Sequence, residues 1–316
     1  MLIGFINARQ RNTSKKWLDE YLLANKSNET IYTLKNSLNL FFEYTNLALE
    51  EIEASDIRTF IAYRAQNGVG VSTLKKNISA IRTFFHYLTK EKLINFNPAE
   101  DIKIKKSSKV LPKFHEVTVI NEVLDSNKNL EFERPSSTVI FKRDLALIEI
   151  AYSCGLRLEE IHSLQIENVE VKRKQVRVTG KGNKTRIIPL GSKAIEAYLE
   201  WLPLREEIMN KDTNQKHNYV FVTTTGAQLS RVQINKRIKN AFKLAGYPIQ
   251  SNPHMLRHSF ATHLINNSVG IREIQEMLGH SNLNTTQIYT DLDHTSMTNV
   301  YMDTHPRAVK NTEGEN

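Results

Sequence analysis

Apolar residues recur every three or four positions through most of the first hundred residues, which is the spacing that aligns them on one face of an α-helix. They run from Ile31 to Phe42 in SNETIYTLKNSLNLFFEYT and from Leu74 to Leu88 in VSTLKKNISAIRTFFHYLTKE. Helical patterns also cover about residues 15–25 and 55–67. Amphipathic helices of this kind bury their apolar faces against one another, so this region predicts a small helical bundle.

The pattern changes in the second part of the chain. KRDLALIEIAYSCG is apolar on nearly all sides, which predicts a buried central helix ended by Gly155. Apolar and polar residues alternate from Val169 to Val178, and apolar residues return after the turn GKGN, which is typical of an antiparallel hairpin. Helical spacing resumes in SRVQINKRIKNAFKLAG and SVGIREIQEMLG. The predicted fold class is mainly α with a small antiparallel β-sheet.

The length favours two domains, because 316 residues exceed what one hydrophobic core usually organises. We expect a helical bundle in residues 1–100, a basic linker in 101–113, a mixed second domain in 114–308 and a disordered tail in 309–316. Pro98 should end the last helix of the bundle, since a proline cannot continue the hydrogen-bonded backbone of a helix.

The charge favours an anionic partner. Lys and Arg number 43 against 34 Asp and Glu, a formal net charge of +9, although a merely soluble basic protein would also fit. The single cysteine, Cys154, excludes an internal disulfide framework. The N-terminus lacks the order of a signal peptide and no apolar run is long enough to span a membrane, so we expect a cytoplasmic protein.

The stretch HMLRHSFATH, residues 254–263, raises the question of a metal site. His254 and His258 are four apart and could share one zinc ion on a helix face, as in a zinc hydrolase. Arg257 between them is a poor neighbour for a divalent cation. We therefore expect His254 and Arg257 to act as a pair, and His258 and His263 to be hydrogen-bonded packing residues.

Five stretches carry a chemically active side chain where regular structure begins or ends: CGLRLEE, GKGNKTR, HMLRH, LGHSN and TTQIYTD. In this order they resemble the tyrosine recombinase (phage integrase) family, whose pattern is Arg, Lys, His-x-x-Arg, His or Trp, and Tyr. RDLALIEIAYSCGLRLEE and IQEMLGHSNLNTTQIYT resemble its Xer-type branch. The resemblance implies that the helical bundle is a SAM-like core-binding domain and the second domain an α+β tyrosine-recombinase catalytic domain.

The chemistry of the arginines and the tyrosine agrees with this resemblance. Arg157 and Arg257 offer planar forks of donors for phosphate oxygens. An ion pair between Arg157 and Glu160 is an alternative that is compatible with this role, because the resemblance gives Glu160 the part of bracing the site. Tyr289 is the candidate nucleophile; its phenol, with a pKa of about 10, needs a base or electrostatic help. A tyrosine packed by its ring would be commoner, and only the companion motifs favour catalysis.

The remaining catalytic roles are those that the resemblance implies. Lys181 would be the general acid for the leaving 5′ oxygen, whereas position alone leaves Lys184 and Arg186 as competitors. His254 would act as base toward Tyr289, and His280 would donate a hydrogen bond to the phosphate, although each histidine could simply satisfy a helix end. No metal and no cofactor are expected, because one phosphate ester replaces another.

The predicted function is conservative site-specific recombination of DNA through a 3′-phosphotyrosyl intermediate, serving chromosome or plasmid dimer resolution and hence chromosome partition at cell division. An integrase or invertase of a mobile element is the alternative. A type IB topoisomerase-like enzyme and a catalytically silent DNA-binding regulator are more distant.

The partners implied by the resemblance are double-stranded DNA with a specific recombination site, the same chain or a paralogous recombinase in a tetramer on DNA, and a DNA translocase as a candidate activator. No membrane partner is expected, and the protein would associate with the nucleoid. Seven basic residues are candidate DNA contacts, although amphipathic helices also carry lysine on their solvated face: Lys75, Lys76, Arg82, Lys105, Lys106, Lys184 and Arg186.

Overall fold

The computed structural model describes residues 8–23, 28–45, 47–104, 114–128, 135–180, 185–211, 216–247, 251–279 and 291–308. The chain divides into two compact units, Met1–Val110 and Leu111–Asn316. The first unit contains helices α1 (Ala8–Leu23), α2 (Asn28–Tyr44), α3 (Ala54–Gln66) and α4 (Val71–Lys90). The helices predicted from the apolar spacing are therefore confirmed.

The second unit is mainly helical around a small sheet. It contains α5 (Val117–Lys128), α6 (Pro135–Ser153), α7 (Leu158–His162), β1 (Val169–Glu170), β2 (Gln175–Thr179), β3 (Thr185–Pro189), α8 (Ser192–Asn210), α9 (Arg231–Leu244), α10 (Pro253–Asn266), α11 (Ile271–Leu278) and α12 (Asp291–Thr304). Short 3₁₀ turns at Ile166–Asn168 and Val171–Arg173 flank β1. The predicted fold class, mainly α with a small antiparallel sheet, is confirmed. No described helix is long and apolar enough to cross a membrane.

Aromatic side chains fill the core of the first unit. Phe84 of α4 meets Trp17 of α1 edge to face at 5.3 Å between ring centroids and Phe42 of α2 at 5.7 Å. Phe41 meets Phe60 of α3 in the same way at 5.3 Å. Edge-to-face pairs of this kind add to the apolar area that each ring buries. They join all four helices of the unit into one core.

The last helix of the first unit ends earlier than the sequence predicts. Pro98 was expected to end it, but α4 ends at Lys90, where Lys92 adopts a left-handed backbone (φ 55°) and the N–H of Leu93 bonds back to Leu88 O at 2.9 Å. This 6→1 hydrogen bond resembles a Schellman closure, which needs no proline. Pro98 lies in the irregular segment beyond it.

In the second unit, α6 is the central buried helix, as its uniformly apolar sequence predicts. Its side chains from Leu145 to Tyr152 are almost all buried, and it packs against α5, α8, α9 and α10. The helix is closed by a turn at Gly155, whose φ is +56°. A Cβ atom at this position would lie 2.6 Å from the ring of Phe260 on α10. Only glycine combines that backbone with so close a contact. The turn aims the chain into Arg157 at the start of α7.

The sheet is antiparallel in the order β1-β2-β3. Its register pairs Val176 with Ile188 and Val178 with Arg186. Side chains of one strand alternate between faces, so Arg186 shares a face with buried Val176, Val178 and Ile188. An arginine therefore points toward the interior of the unit from β3.

The C-terminal helix α12 packs on its own unit. Tyr301 is fully buried, and its hydroxyl donates to Ser153 O at 2.9 Å. Beyond the helix, Arg307 forms a buried ion pair with Glu149 of α6 and a second one with Asp125 of α5 at 2.9 Å. These contacts hold the chain end against α5 and α6.

Replacing Gly155 by alanine should destabilise the second unit strongly. A left-handed backbone costs an alanine about 1–2 kcal/mol, and overpacking against Phe260 adds about 1–3 kcal/mol. Gly246→Ala is the matched control, because Gly246 also has a positive φ (+82°) but no described atom within 4 Å of the position that a Cβ would take. Urea unfolding of both variants should show the larger loss for Gly155→Ala; equal losses would contradict the proposed contact with Phe260.

Candidate active site

The site centres on the carboxylate of Glu160, one turn into α7. Arg157 is the N-cap residue of this helix, and its backbone N–H donates to Glu160 Oε2 at 2.8 Å. This is the acidic half of a capping box, in which the third helical residue reaches back to the cap. The local sequence RLEE thus folds so that the side chain of Glu160 lies beside that of Arg157.

Three arginines surround this carboxylate. Arg157 Nη1 lies 2.9 Å from Glu160 Oε1. Arg186 binds both oxygens, with Nη1 2.7 Å from Oε1 and Nη2 2.9 Å from Oε2. Arg257 Nη1 is 4.0 Å from Oε2. The ion pair of Arg157 with Glu160 is therefore present, and the two arginines predicted to clamp a phosphate lie in one cluster.

The last three carbonyls of α11 and its cap accept hydrogen bonds from the same three arginines. Met277 O accepts from Arg186 Nε at 2.7 Å, Leu278 O from Arg257 Nη2 at 2.6 Å and Gly279 O from Arg157 Nη2 at 3.2 Å. The C-terminal carbonyls of a helix lack intrahelical partners and carry partial negative charge, so they favour cations. The end of α11 therefore fixes where each guanidinium lies.

Glu160 and Arg257 keep their charges at neutral pH. Burial raises the pKa of Glu160, but hydrogen bonds and charge from Arg186, followed by those from Arg157, outweigh it and hold the pKa below its usual 4.5. Burial, and then the charge of Arg157, lower the pKa of Arg257 from 12.5 to about 9. In the described part of the site, three guanidinium groups thus face the carboxylate of Glu160, which leaves an excess of positive charge. Such a site attracts an anion.

Access to this cluster differs among the arginines. The side chain of Arg157 is 34% exposed, whereas those of Arg257 and Arg186 are 10% and 12% exposed. Arg257 also donates to Gly155 O at 2.7 Å, which ties α10 to the turn before α7. An incoming anion therefore meets Arg157 first, with Arg257 behind it.

His254 stands at the start of α10, one turn before Arg257. Asn252 caps the helix by accepting from the N–H of Met255 at 3.0 Å, and Pro253 occupies the first helical position. The helix start inferred from Pro-His-Met-Leu-Arg is thus present. The imidazole of His254 is exposed, which leaves it accessible to a substrate.

The other two histidines of this stretch pack inside the unit. His263 is buried, and its Nδ1 lies 2.7 Å from the hydroxyl of Tyr152. Burial lowers the pKa of His263, so the ring is neutral at physiological pH. The half-buried ring of His258 meets Phe114 edge to face at 6.2 Å. Among the described residues, no group of three or more His, Cys, Asp and Glu side chains is placed to hold a metal ion.

Several predicted site residues lie outside the described residues: Lys181, His280, Tyr289, Lys105, Lys106 and Lys184. Two of them directly follow described residues of the cluster. A Cβ on Gly180 would lie 3.5 Å from Glu160 Oε1, and one on Gly279 would lie 3.0 Å from Arg186 Cδ. The segments that lead into Lys181 and His280 therefore pass beside the three arginines.

The predicted DNA contacts are placed differently from one another. Lys75 and Lys76 are exposed on α4, as expected. Arg82 was expected at the DNA surface but is partly buried, donating to Ala99 O at 3.0 Å and Ile102 O at 2.6 Å. The sequence suggested that Arg186 belongs to the hairpin turn, but its side chain points inward from β3 to Glu160. The alternation of side chains along a strand could have predicted this orientation, because Arg186 lies two residues before buried Ile188 and therefore shares its face.

Comparison with known proteins identifies the family. The model of the phage integrase family matches residues 102–296, and that of the phage integrase N-terminal SAM-like domain matches residues 15–92. The chain belongs to the phage integrase family of tyrosine recombinases. The sequence-based prediction of the family is confirmed.

The similar proteins include Xer recombinases. Tyrosine recombinase XerC of Actinobacillus succinogenes is 38% identical over 286 residues, or 88% of this chain and 92% of the relative. XerC of Bacillus subtilis is 35% identical over 92% of this chain and 95% of its own length. A crystal structure of XerH site-specific recombinase bound to palindromic difH substrate, a post-cleavage complex, is 27% identical, with a TM-score of 0.66 over 85% of this chain and 78% of that chain. The chain is a DNA strand-transferring enzyme, an Xer-like site-specific recombinase.

Neutralising Glu160 should destabilise the second unit at neutral pH. Glu160→Gln leaves three buried or half-buried guanidinium groups without their carboxylate, and breaking a buried pair costs about 3–5 kcal/mol. Glu170→Gln is the control, since Glu170 pairs with the more exposed Arg173 and Arg177 on the sheet. That change should cost about 0–1 kcal/mol.

The pH dependence of this loss follows from the depressed pKa of Glu160. A carboxylate of this kind stabilises the folded state above its unfolded pKa of 4.5, and the contribution is lost as the pH falls through the lower folded value. Denaturant unfolding at several pH values should therefore show wild type and Glu160→Gln converging below pH 4.5. A difference that persisted unchanged at low pH would mean that the loss is not electrostatic.

Proposed function

We propose that the arginine cluster binds the scissile phosphate of a recombination site and that Tyr289 attacks it. The Tyr289 oxygen forms a bond to phosphorus, the bond from phosphorus to the 5′ oxygen breaks, and the DNA remains attached through a 3′-phosphotyrosyl ester. His254 takes the proton of the phenol and Lys181 gives a proton to the departing 5′ oxygen. The 5′ hydroxyl of a partner strand then reverses the step, and no energy cofactor is consumed.

The observation that carries this proposal is the excess of positive charge around Glu160. A phosphodiester gains negative charge on its non-bridging oxygens as the nucleophile adds, and preorganised donors aimed at that charge lower the barrier. Arg157 and Arg257 are held in place by carbonyls of α11 before any substrate arrives. Because the geometry is set in advance, little reorganisation is needed when charge develops.

The roles of Lys181, His280 and Tyr289 rest on their match to the family pattern. Along the chain, Lys181 comes between β2 and β3, and His280 follows Gly279, the cap of α11. In the proposed mechanism His280 donates a hydrogen bond to a non-bridging oxygen. Glu160 contacts no substrate and instead orients Arg157 and Arg257.

For the biological role we propose resolution of chromosome or plasmid dimers, acting on nucleoid DNA in the cytoplasm. The curated relatives named XerC support this choice over an integrase or invertase of a mobile element. In this proposal the bundle in residues 1–100 and the catalytic domain in residues 114–308 both hold the duplex, joined by the basic linker 101–113, with Lys75 and Lys76 as phosphate contacts. Four protomers, identical or from a paralogue, would act together, with a DNA translocase as a candidate activator.

A type IB topoisomerase-like activity and a silent DNA-binding regulator are separated from this proposal by simple assays. The first would relax supercoiled DNA without a specific site. The second would bind the same DNA and form no covalent adduct. Mapping the DNA bound in cells would distinguish a chromosomal dimer-resolution site from the end of a mobile element.

Tyr289→Phe should abolish covalent adduct formation while DNA binding survives, because the phenol oxygen is lost and the ring is kept. A substrate carrying the native site and a nick near the scissile phosphate traps the adduct, which denaturing gel electrophoresis detects. Tyr247→Phe is the control and should keep the adduct, because half-buried Tyr247 lies in the same unit but donates to Glu122, outside the arginine cluster. An adduct that persists in Tyr289→Phe would overturn the assignment of the nucleophile.

Arg157→Lys and Arg257→Lys should each slow adduct formation by about 10²–10³-fold, as loss of one preorganised donor does elsewhere. Lysine keeps the charge but lacks the planar fork that serves a carbonyl and a phosphate together. Arg173→Lys, in the exposed 3₁₀ turn between β1 and β2, should have no such effect. Rates on the nicked substrate and affinities from a binding assay would be compared; a fall in affinity that accounts for the whole loss would argue against a role in the transition state.

A further inference from the structure

We infer that Arg186 is a positioning residue of the strand-cleavage site, acting through Glu160 on the two arginines that bind phosphate. The inference rests on the proposed function of the cluster. This role differs from the DNA contact that the sequence predicts for Arg186.

All three nitrogens of the Arg186 guanidinium donate to the protein. Nη1 and Nη2 bind the two oxygens of Glu160 at 2.7 and 2.9 Å, and Nε binds Met277 O at 2.7 Å. The side chain is 12% exposed, which is close to the 10% of Arg257, so burial does not distinguish the two arginines. Because each of its three nitrogens already donates to the protein, the Arg186 guanidinium is poorly placed to bind a DNA phosphate as well.

The bidentate contact fixes the plane of the Glu160 carboxylate. Two parallel N–H···O bonds between a guanidinium and a carboxylate set orientation as well as distance. Oε1 of the carboxylate so fixed also accepts from Arg157 Nη1, and Oε2 lies 4.0 Å from Arg257 Nη1. By fixing Glu160, Arg186 thus helps to determine where the guanidinium groups of Arg157 and Arg257 lie.

Arg186 also joins three segments that lead into the site. It stands on β3, binds Glu160 on α7 and binds the end of α11 through Met277. Two glycines lie close to its guanidinium: a Cβ on Gly279 would lie 3.1 Å from Nη1, and one on Gly180 would lie 3.6 Å from the same atom. The residues that follow these glycines are His280 and Lys181. Loss of Arg186 should therefore loosen Glu160 together with the described ends of both segments, at Gly180 and Gly279.

The test measures cleavage of the nicked substrate at saturating DNA, in a single turnover, together with the DNA dissociation constant. We expect Arg186→Gln to slow cleavage by about 10–100-fold, which is the loss seen at metal sites when a residue that orients a ligand is removed. The DNA dissociation constant should change less than about threefold. Arg186→Lys should recover only part of the rate, because one ammonium cannot replace the fork. Arg177→Gln is the matched control: Arg177 also pairs with a glutamate, Glu170, but its alternation places it on the opposite face of the sheet.

A double-mutant cycle separates positioning from general loss of structure. If Arg186 acts through Glu160, Arg186→Gln combined with Glu160→Gln should cleave no more slowly than Glu160→Gln alone, since the two losses share one cause. Should Arg186→Gln fail to fold, the same cycle is run with Arg186→Lys, and thermal unfolding reports the folded fraction throughout.

Each outcome decides the inference. Losses that multiply in the double variant, or an unchanged rate in folded Arg186→Gln, would overturn the positioning role. A loss confined to DNA affinity would overturn it in favour of direct DNA contact. If the wild type forms no adduct, the proposed function itself fails; an adduct in the wild type with no effect of Arg186 refutes this inference alone.

Discussion

The attraction between one buried carboxylate and three guanidinium groups organises the described part of the catalytic unit. Glu160 is almost fully buried and is contacted by arginines from α7, β3 and α10. Desolvating these charges is costly, and their attraction offsets the cost only when the remaining donors are also satisfied. The carbonyls at the end of α11 satisfy them, so the cluster depends on two neighbouring features: the Glu160 side chain and a helix C-terminus.

The same arrangement links stability to function. Three positive charges against one negative charge leave the described part of the site with an excess of positive charge, which in the proposed function a phosphodiester offsets in part. The elements that hold the cluster begin or end at it: α6 is followed by the turn at Gly155, α7 begins at its cap Arg157, and α11 ends at Gly279. Catalytic side chains at the ends of buried elements combine a rigid origin with access to substrate. The fold therefore brings Arg157, Arg186 and Arg257 together at Glu160.

The sequence predicts much of this arrangement because the family pattern and the helix signals are local. The proline and capping residue before His254, the glycine stop before Arg157 and the spacing of Glu160 can all be recognised within a few residues. The two partners of Arg186 could not be recognised in this way, because Glu160 is 26 residues away and Met277 is 91 residues away along the chain. Arg82 shows the same limit: an amphipathic pattern places it on a partly solvated face but does not reveal the carbonyls beyond Pro98 that it binds. Tyr289, His280 and Lys181 keep their roles as predictions from the family pattern.

The central claim is that Arg157 and Arg257 act on the negative charge of the scissile phosphate. The most direct measurement is the rate of Tyr289 adduct formation on two nicked substrates, one natural and one with a neutral methylphosphonate at the scissile position. The account predicts that Arg157→Ala and Arg257→Ala slow cleavage strongly on the charged substrate and far less on the neutral one, because the reacting group then carries one negative charge fewer for them to stabilise. Equal losses on both substrates would contradict it and would assign the two arginines to folding or to DNA binding instead.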